Sequence, residues 1–271
     1  MLPTLGDYCA KFSSCPQAIL IIFMQFQLIL GEYFLVNLEA AETAEQATNL
    51  IGWILNHGQV RSIYNESQAE HSVPPGKILA FLMANMTRWT THLIMFIWLH
   101  DLKDSMRQAV ITQRQDIINA QVGAEKNCQK RQKLKDDANK HCDLIDNGAF
   151  WRNLKSVVDD LEPICFRLNM NQRDAMHPYQ ALLSFAGIFL YFPKHLKPAM
   201  ATEMMKRIEK RWNALDQPMF VLALVLNPFE EVSRFGEKAG LSQFTLNTLL
   251  LEVGELCCIY YLLLTILSLD V

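Results

Sequence analysis

The residue types best suited to holding a metal are Cys128, His141 and Cys142, because thiolate and imidazole are the ligands of tetrahedral zinc sites. Their spacing matches no common zinc pattern, and the adjacent pair His141-Cys142 would diverge on a helix. Paired carboxylates occur as Asp136-Asp137 and Asp159-Asp160. Consecutive helical positions point about 100° apart, so surface solvation accounts for both pairs. Cys9 and Cys15 stand with no obvious His partner and read as inert. The chain has no GxxxxGK[ST] or GxGxxG loop to cradle a phosphate, and no GxSxG or HExxH, which removes support for those nucleotide and hydrolase chemistries. What remains is electrostatic and aromatic. Lys126, Lys130, Arg131, Lys133, Lys135 and Lys140 follow in close succession; such a run is either a solvated helix or loop, or a patch that contacts phosphate. At Arg88-Trp89 the residues by themselves read as an indole that caps the following helix as part of the core. Arg211-Trp212 reads as core, with Lys206, Arg207 and Lys210 on a polar face.

Positioning those residues requires a packed core, and the composition supplies one: 271 residues, 51% hydrophobic and 20% charged, fit one large domain or two small ones. A net charge of −3 and a pI near 6.2 exert no global pull on nucleic acid, so any polyanion site must be local. Seven cysteines, an odd number at irregular spacing, point to a reducing compartment, nuclear or cytoplasmic. The apolar runs 18–30 and 256–269 fall short of the roughly 20 residues that cross a bilayer, and Gln25 and Gln27 interrupt the first. No membrane partner is expected. Only Lys11 precedes the first run, which makes it a poor secretory signal.

Glycine and proline are sparse and cluster between segments of helical period, so the fold class is mainly α, a helical bundle with at most a few short strands. The spacing predicts helices over residues 43–56, with Thr43 as N-cap and Asn56-His57-Gly58 as stop, and over 59–69. A stiff break follows at Pro74-Pro75. One long helix after Thr87 would carry Leu93, Phe96, Leu99, Met106 and Val110 inward. Another starts at Asn147, with Phe150, Trp151, Leu154, Val157, Leu161, Ile164 and Leu168 on one stripe, and Pro163 should bend or end it near Glu162. Further helices are expected over 179–191, 201–215, 219–226 and 242–252. Residues 78–83 and 219–226 could equally be short buried strands.

Several blocks fall in an order that resembles the hAT superfamily of transposases. Met86-Thr-Arg-Trp-Thr-Thr-His92 looks like its "TRW" signature, and residues 48–58 through Arg61 resemble the helix pair upstream of it. Phe150-Trp151 through Glu162-Pro163-Ile164, and Ile208-Glu-Lys-Arg-Trp212 with Leu222 to Asn227-Pro228, resemble later blocks. The resemblance covers residues 32–252, leaving 1–31 as a degenerate N-terminal segment and 253–271 as an apolar tail. It implies the helical insertion of a ribonuclease-H-like core, in which three carboxylates hold two divalent ions for phosphoryl transfer. It implies further that Trp89 stacks on a displaced base.

The family's Cys-x-x-His signature is absent, since Ile21 and Met24 occupy its positions. Its first and third carboxylates are expected upstream and downstream of this chain. The sequence therefore predicts no autonomous catalysis and no cofactor, Mg²⁺ belonging to intact family members, and a tail that is a translation or splicing remnant or else a hydrophobic interaction helix. DNA and a second copy of the chain stand as candidate partners, with Arg88, Trp89, Lys130, Arg131 and Lys133 as the DNA-binding set. The competing reading is a helical interaction module in which Trp53, Trp89, Trp151 and Trp212 are all core.

Overall fold

Asn37 separates the first two helices by capping the second: its Oδ1 accepts the Ala40 N–H at 3.1 Å, and Glu39 places an acid in the first turn, where the helix dipole favours it. The computed structural model describes residues 16–71, 78–84, 89–170, 177–215, 217–227 and 247–251, with backbone alone at 16–23, 71 and 89. Its helices are α1 (Pro16–Val36), α2 (Leu38–Asn56), α3 (Gly58–His71), α4 (Trp89–Asp101), α5 (Lys103–Val122), α6 (Cys128–Asp146), α7 (Gly148–Met170), α8 (Pro178–His195), α9 (Pro198–Asn213) and α10 (Gln217–Val225). No strand occurs among the described residues. Residues 78–83 are irregular and 219–226 are largely helical, so neither is a strand. None of the described helices is long and apolar enough to cross a membrane.

Three expectations need correcting, and a fourth is narrowed. Thr43 is not the cap of α2; it lies inside the helix and returns its hydroxyl to the Glu39 carbonyl at 2.8 Å. The long helix after Thr87 divides at Leu102 into α4 and α5, and α5 departs from helical geometry again at Gln113 (φ −129°, ψ 25°). Of the bend or end expected at Pro163, the end is excluded, because α7 continues to Met170. The lost hydrogen bond is offset by burial of Ile164, Cys165 and Leu168 beyond it. Asp160 is buried rather than solvated, as developed below. The expected break at Pro74-Pro75 and most of the helix expected over 242–252 lie outside the described residues, although 247–251 are helical.

The chain divides into two units, Leu30–Phe166 and Met1–Ile29 with Arg167–Val271. In the first, α5 packs along α3 and α6, and α2 meets α3 and α4. The α5–α6 pair is an antiparallel hairpin turned at Gly123, whose φ of +51° suits glycine. Polar contacts run along it from Gln121–Asp137 through Arg114–Asp143 to Arg107–Asp146. Core residues of α7 follow its helical stripe, and the Trp151 indole donates to the Ile145 carbonyl at 2.6 Å.

In the second unit, α8 packs on α9 and α10. A run of rings forms its described core: Phe26 lies 4.7 Å from Phe185, Phe185 is 5.7 Å from Trp212, and Trp212 is 5.9 Å from Phe220. The Arg167 guanidinium lies so close to Gly187 that a Cβ there would stand 2.6 Å from Nη2.

Candidate functional site

Helix α6 carries its charges in the reverse of the order that a helix dipole favours. Its first turn holds no acid and its last turn no base. Lys130, Arg131 and Lys133 instead crowd the N-terminal end, where the free N–H groups already carry partial positive charge, and Asp143 and Asp146 sit at the opposite end. Capping is sound nonetheless, because the Asn127 Oδ1 accepts from the Gln129 and Lys130 N–H groups at 3.0 and 3.1 Å.

The two halves of α6 also differ in what they touch. The acids turn toward α5: Asp137 accepts from Gln121 at 2.7 Å, Asp143 pairs with Arg114 at 2.5 Å, and Asp146 lies 3.6 Å from Arg107. Asp136 accepts from Gln132 at 2.8 Å. Lys126, Lys130, Arg131 and Lys133 are exposed, and no ion pair reaches them among the described residues. Lys135 is half-buried and Lys140 exposed on the same helix. Such a row can hold a line of phosphate or carboxylate oxygens.

Of the other residues assigned to DNA, Arg88 lies outside the described residues, and Trp89 is described only as the first backbone position of α4. The three remaining tryptophans of the interaction-module reading are packed. Trp53 and Trp151 are buried, and Trp212 is half-buried between Phe185 and Phe220. Arg207 pairs with Glu203 at 2.9 Å.

The possible metal ligands do not converge. Cys128 and His141 stand thirteen residues apart on one helix, about 20 Å at 1.5 Å per residue. No cluster of three His, Cys, Asp or Glu side chains able to hold a metal occurs among the described residues. Cys142 is buried, and burial pushes its thiol up to about 11, the nearby Arg114 charge opposing.

Two polar arrangements escaped the sequence reading. Tyr33 donates its hydroxyl to the Asp160 Oδ2 at 2.6 Å, both groups being buried, and Asn37 donates to the same hydroxyl oxygen at 3.1 Å. Asp160 stands three residues after Val157 and four before Ile164, on the apolar face of α7, so periodicity already marked it as an inward position. The second arrangement joins Trp53, Gln121, Asp137 and His141; no motif announces it, because its members come from three helices.

Comparison of the chain with family models, with curated proteins and with solved structures yields no match.

Proposed function

We propose that the chain is a non-catalytic helical module of hAT transposase ancestry that binds nucleic acid through the cationic start of α6, without a metal cofactor. The reading is carried by one observation: four exposed cations, from Lys126 to Lys133, gather at a helix end whose dipole makes them costly, with no acid of the described residues paired to them. A polyanion would relieve that cost, whereas plain solubility would be served as well by cations spread over the surface. Arg88 and Trp89 join the proposal through the ordered blocks of the resemblance.

The test is anisotropy of a short fluorescent duplex and its single strand over a salt series. Contacts from Lys130, Arg131 and Lys133 predict a log–log salt slope of about −3 for the duplex, roughly −0.9 per phosphate neutralised. Replacing the three by glutamine should remove that slope. No binding at low salt, or unchanged binding by the triple variant, overturns the reading.

A second reading, a helical interaction module that pairs with another copy of itself, is favoured by α8. Leu183 and Leu190 stand seven residues apart on one stripe, 45% and 62% exposed, with exposed Ala186 between them. Light scattering of the native chain against Leu183→Lys/Leu190→Lys decides it: a dimer reduced to a monomer supports this reading, and a monomeric native chain removes it.

A further inference from the structure

Within the unit Leu30–Phe166, Trp53 of α2 donates its Nε1–H to the Gln121 Oε1 of α5 at 2.8 Å. The Gln121 Nε2 donates to the Asp137 Oδ2 of α6 at 2.7 Å. One turn along α6, the His141 Nδ1 meets the Asp137 main-chain oxygen at 2.8 Å, and the His141 ring lies parallel to the Trp53 indole, 4.4 Å between centroids and 3° between planes. The circuit is closed and every direction in it is fixed. An indole only donates, so Gln121 must turn its oxygen to Trp53 and its NH₂ to the carboxylate. A carbonyl only accepts, so the His141 proton sits on Nδ1 and Nε2 is left as the one basic nitrogen.

We propose that this circuit is an acid-released latch that fastens α6 to α2 and α5. On the His141 ring a proton can enter only at Nε2, because Nδ1 already donates to the Asp137 main-chain oxygen. The charge so formed would stand in a side chain that is 13% exposed, facing Lys140 and Asp137 on α6 and His57 at the end of α2, while α5 offers only the neutral Gln121 amide. The Asp137 Oδ1 lies 3.8 Å from Nδ1, but that carboxylate is half-exposed and already engaged by Gln121, so its attraction is partial. Stacking on the indole adds a cation–π attraction that also resists release. Burial opposes both and lowers the proton affinity of the ring. An imidazolium gains hydration by leaving the stack, and the parallel contact with Trp53 goes with it. The latch does not depend on what the cations of α6 bind.

Nuclear magnetic resonance of the ¹⁵N-labelled full chain from pH 7.5 to 5.0 tests the latch, with the five indole signals and the histidine ring nitrogens followed together. The Trp53 indole N–H should shift with the same midpoint as the His141 ring, and its solvent exchange should speed several-fold as the pH falls. In His141→Phe, which keeps a flat ring and removes the proton site, that indole signal should be indifferent to pH. A Trp53 signal that ignores pH in the native chain, or that titrates unchanged in His141→Phe, overturns the proposal. The native chain alone decides the question if the variant fails to fold.

Discussion

His92, His100 and His141 each have their proton affinity lowered from the ordinary histidine value, with burial the leading cause in every case. At His100 the Lys103 charge reinforces burial and Asp101 opposes it. Between the lowered folded values and about 6.5 the unfolded chain binds more protons than the folded one, so stability rises with pH. It is fully present above the unfolded value and is lost as pH falls below it. Melting temperatures measured from pH 7.5 to 5.5 should therefore decline, and His100→Gln or His141→Gln should flatten the decline; a melting temperature constant over that window would contradict the burial of these rings. Thiols divide in a similar way. Cys142 and Cys165 are buried, with their thiols pushed up to about 11 and about 12, while Cys128 is exposed. An alkylating reagent at pH 7 should label Cys128 and spare the other two in the native protein, as read by mass spectrometry.

Glycines separate helix interiors from turns. Gly31 lies within α1, and a Cβ added there meets nothing within 4 Å, so Gly31→Ala should stabilise the protein by about 0.5–1 kcal/mol through helix propensity. Gly123 also has open space around it, but its φ of +51° penalises any Cβ, and Gly123→Ala should cost about 1 kcal/mol. Denaturant midpoints of the two variants should move in opposite directions. Much at this scale was legible in the sequence: apolar period located α2, α3, α7, α8, α9 and α10, because a buried stripe repeats every 3.6 residues. It erred where local chemistry decides. Thr43 and Asn37 are both acceptable caps, and only the backbone path selects Asn37. The run from Lys126 to Lys140 admits helix or loop on sequence because α6 has few large apolar side chains and a charge order that disfavours a helix.

Across the whole chain, period tells which face is buried but not what it is buried against. Sequence order alone does not pair distant helices, and one compact unit brings Phe26 of the first helix to Phe185 of the eighth. That unit cannot close until most of the chain has been made. The cationic surface was half-legible: the residues of the basic run stood out, while their gathering at one helix end, and the turning of Asp137, Asp143 and Asp146 toward α5, needed the fold. Their cost yields a prediction that links stability to binding. Lys130→Glu with Lys133→Glu should raise stability, on the order of 0.3–1 kcal/mol per reversed charge, and abolish polyanion binding. Thermal melts and anisotropy on the same sample check both halves; a fall in melting temperature would show that these cations already have a stabilising role in the free protein.

The inverted polarity of α6 also governs how that segment comes to be ordered. Cut out as a synthetic peptide of residues 125–147, it should give the circular dichroism of a random coil, since short helices are marginal in water even with favourable end charges. In the growing chain this segment would then be a guest rather than a seed, coiling only once α5 offers Arg107, Arg114 and Gln121 as a template.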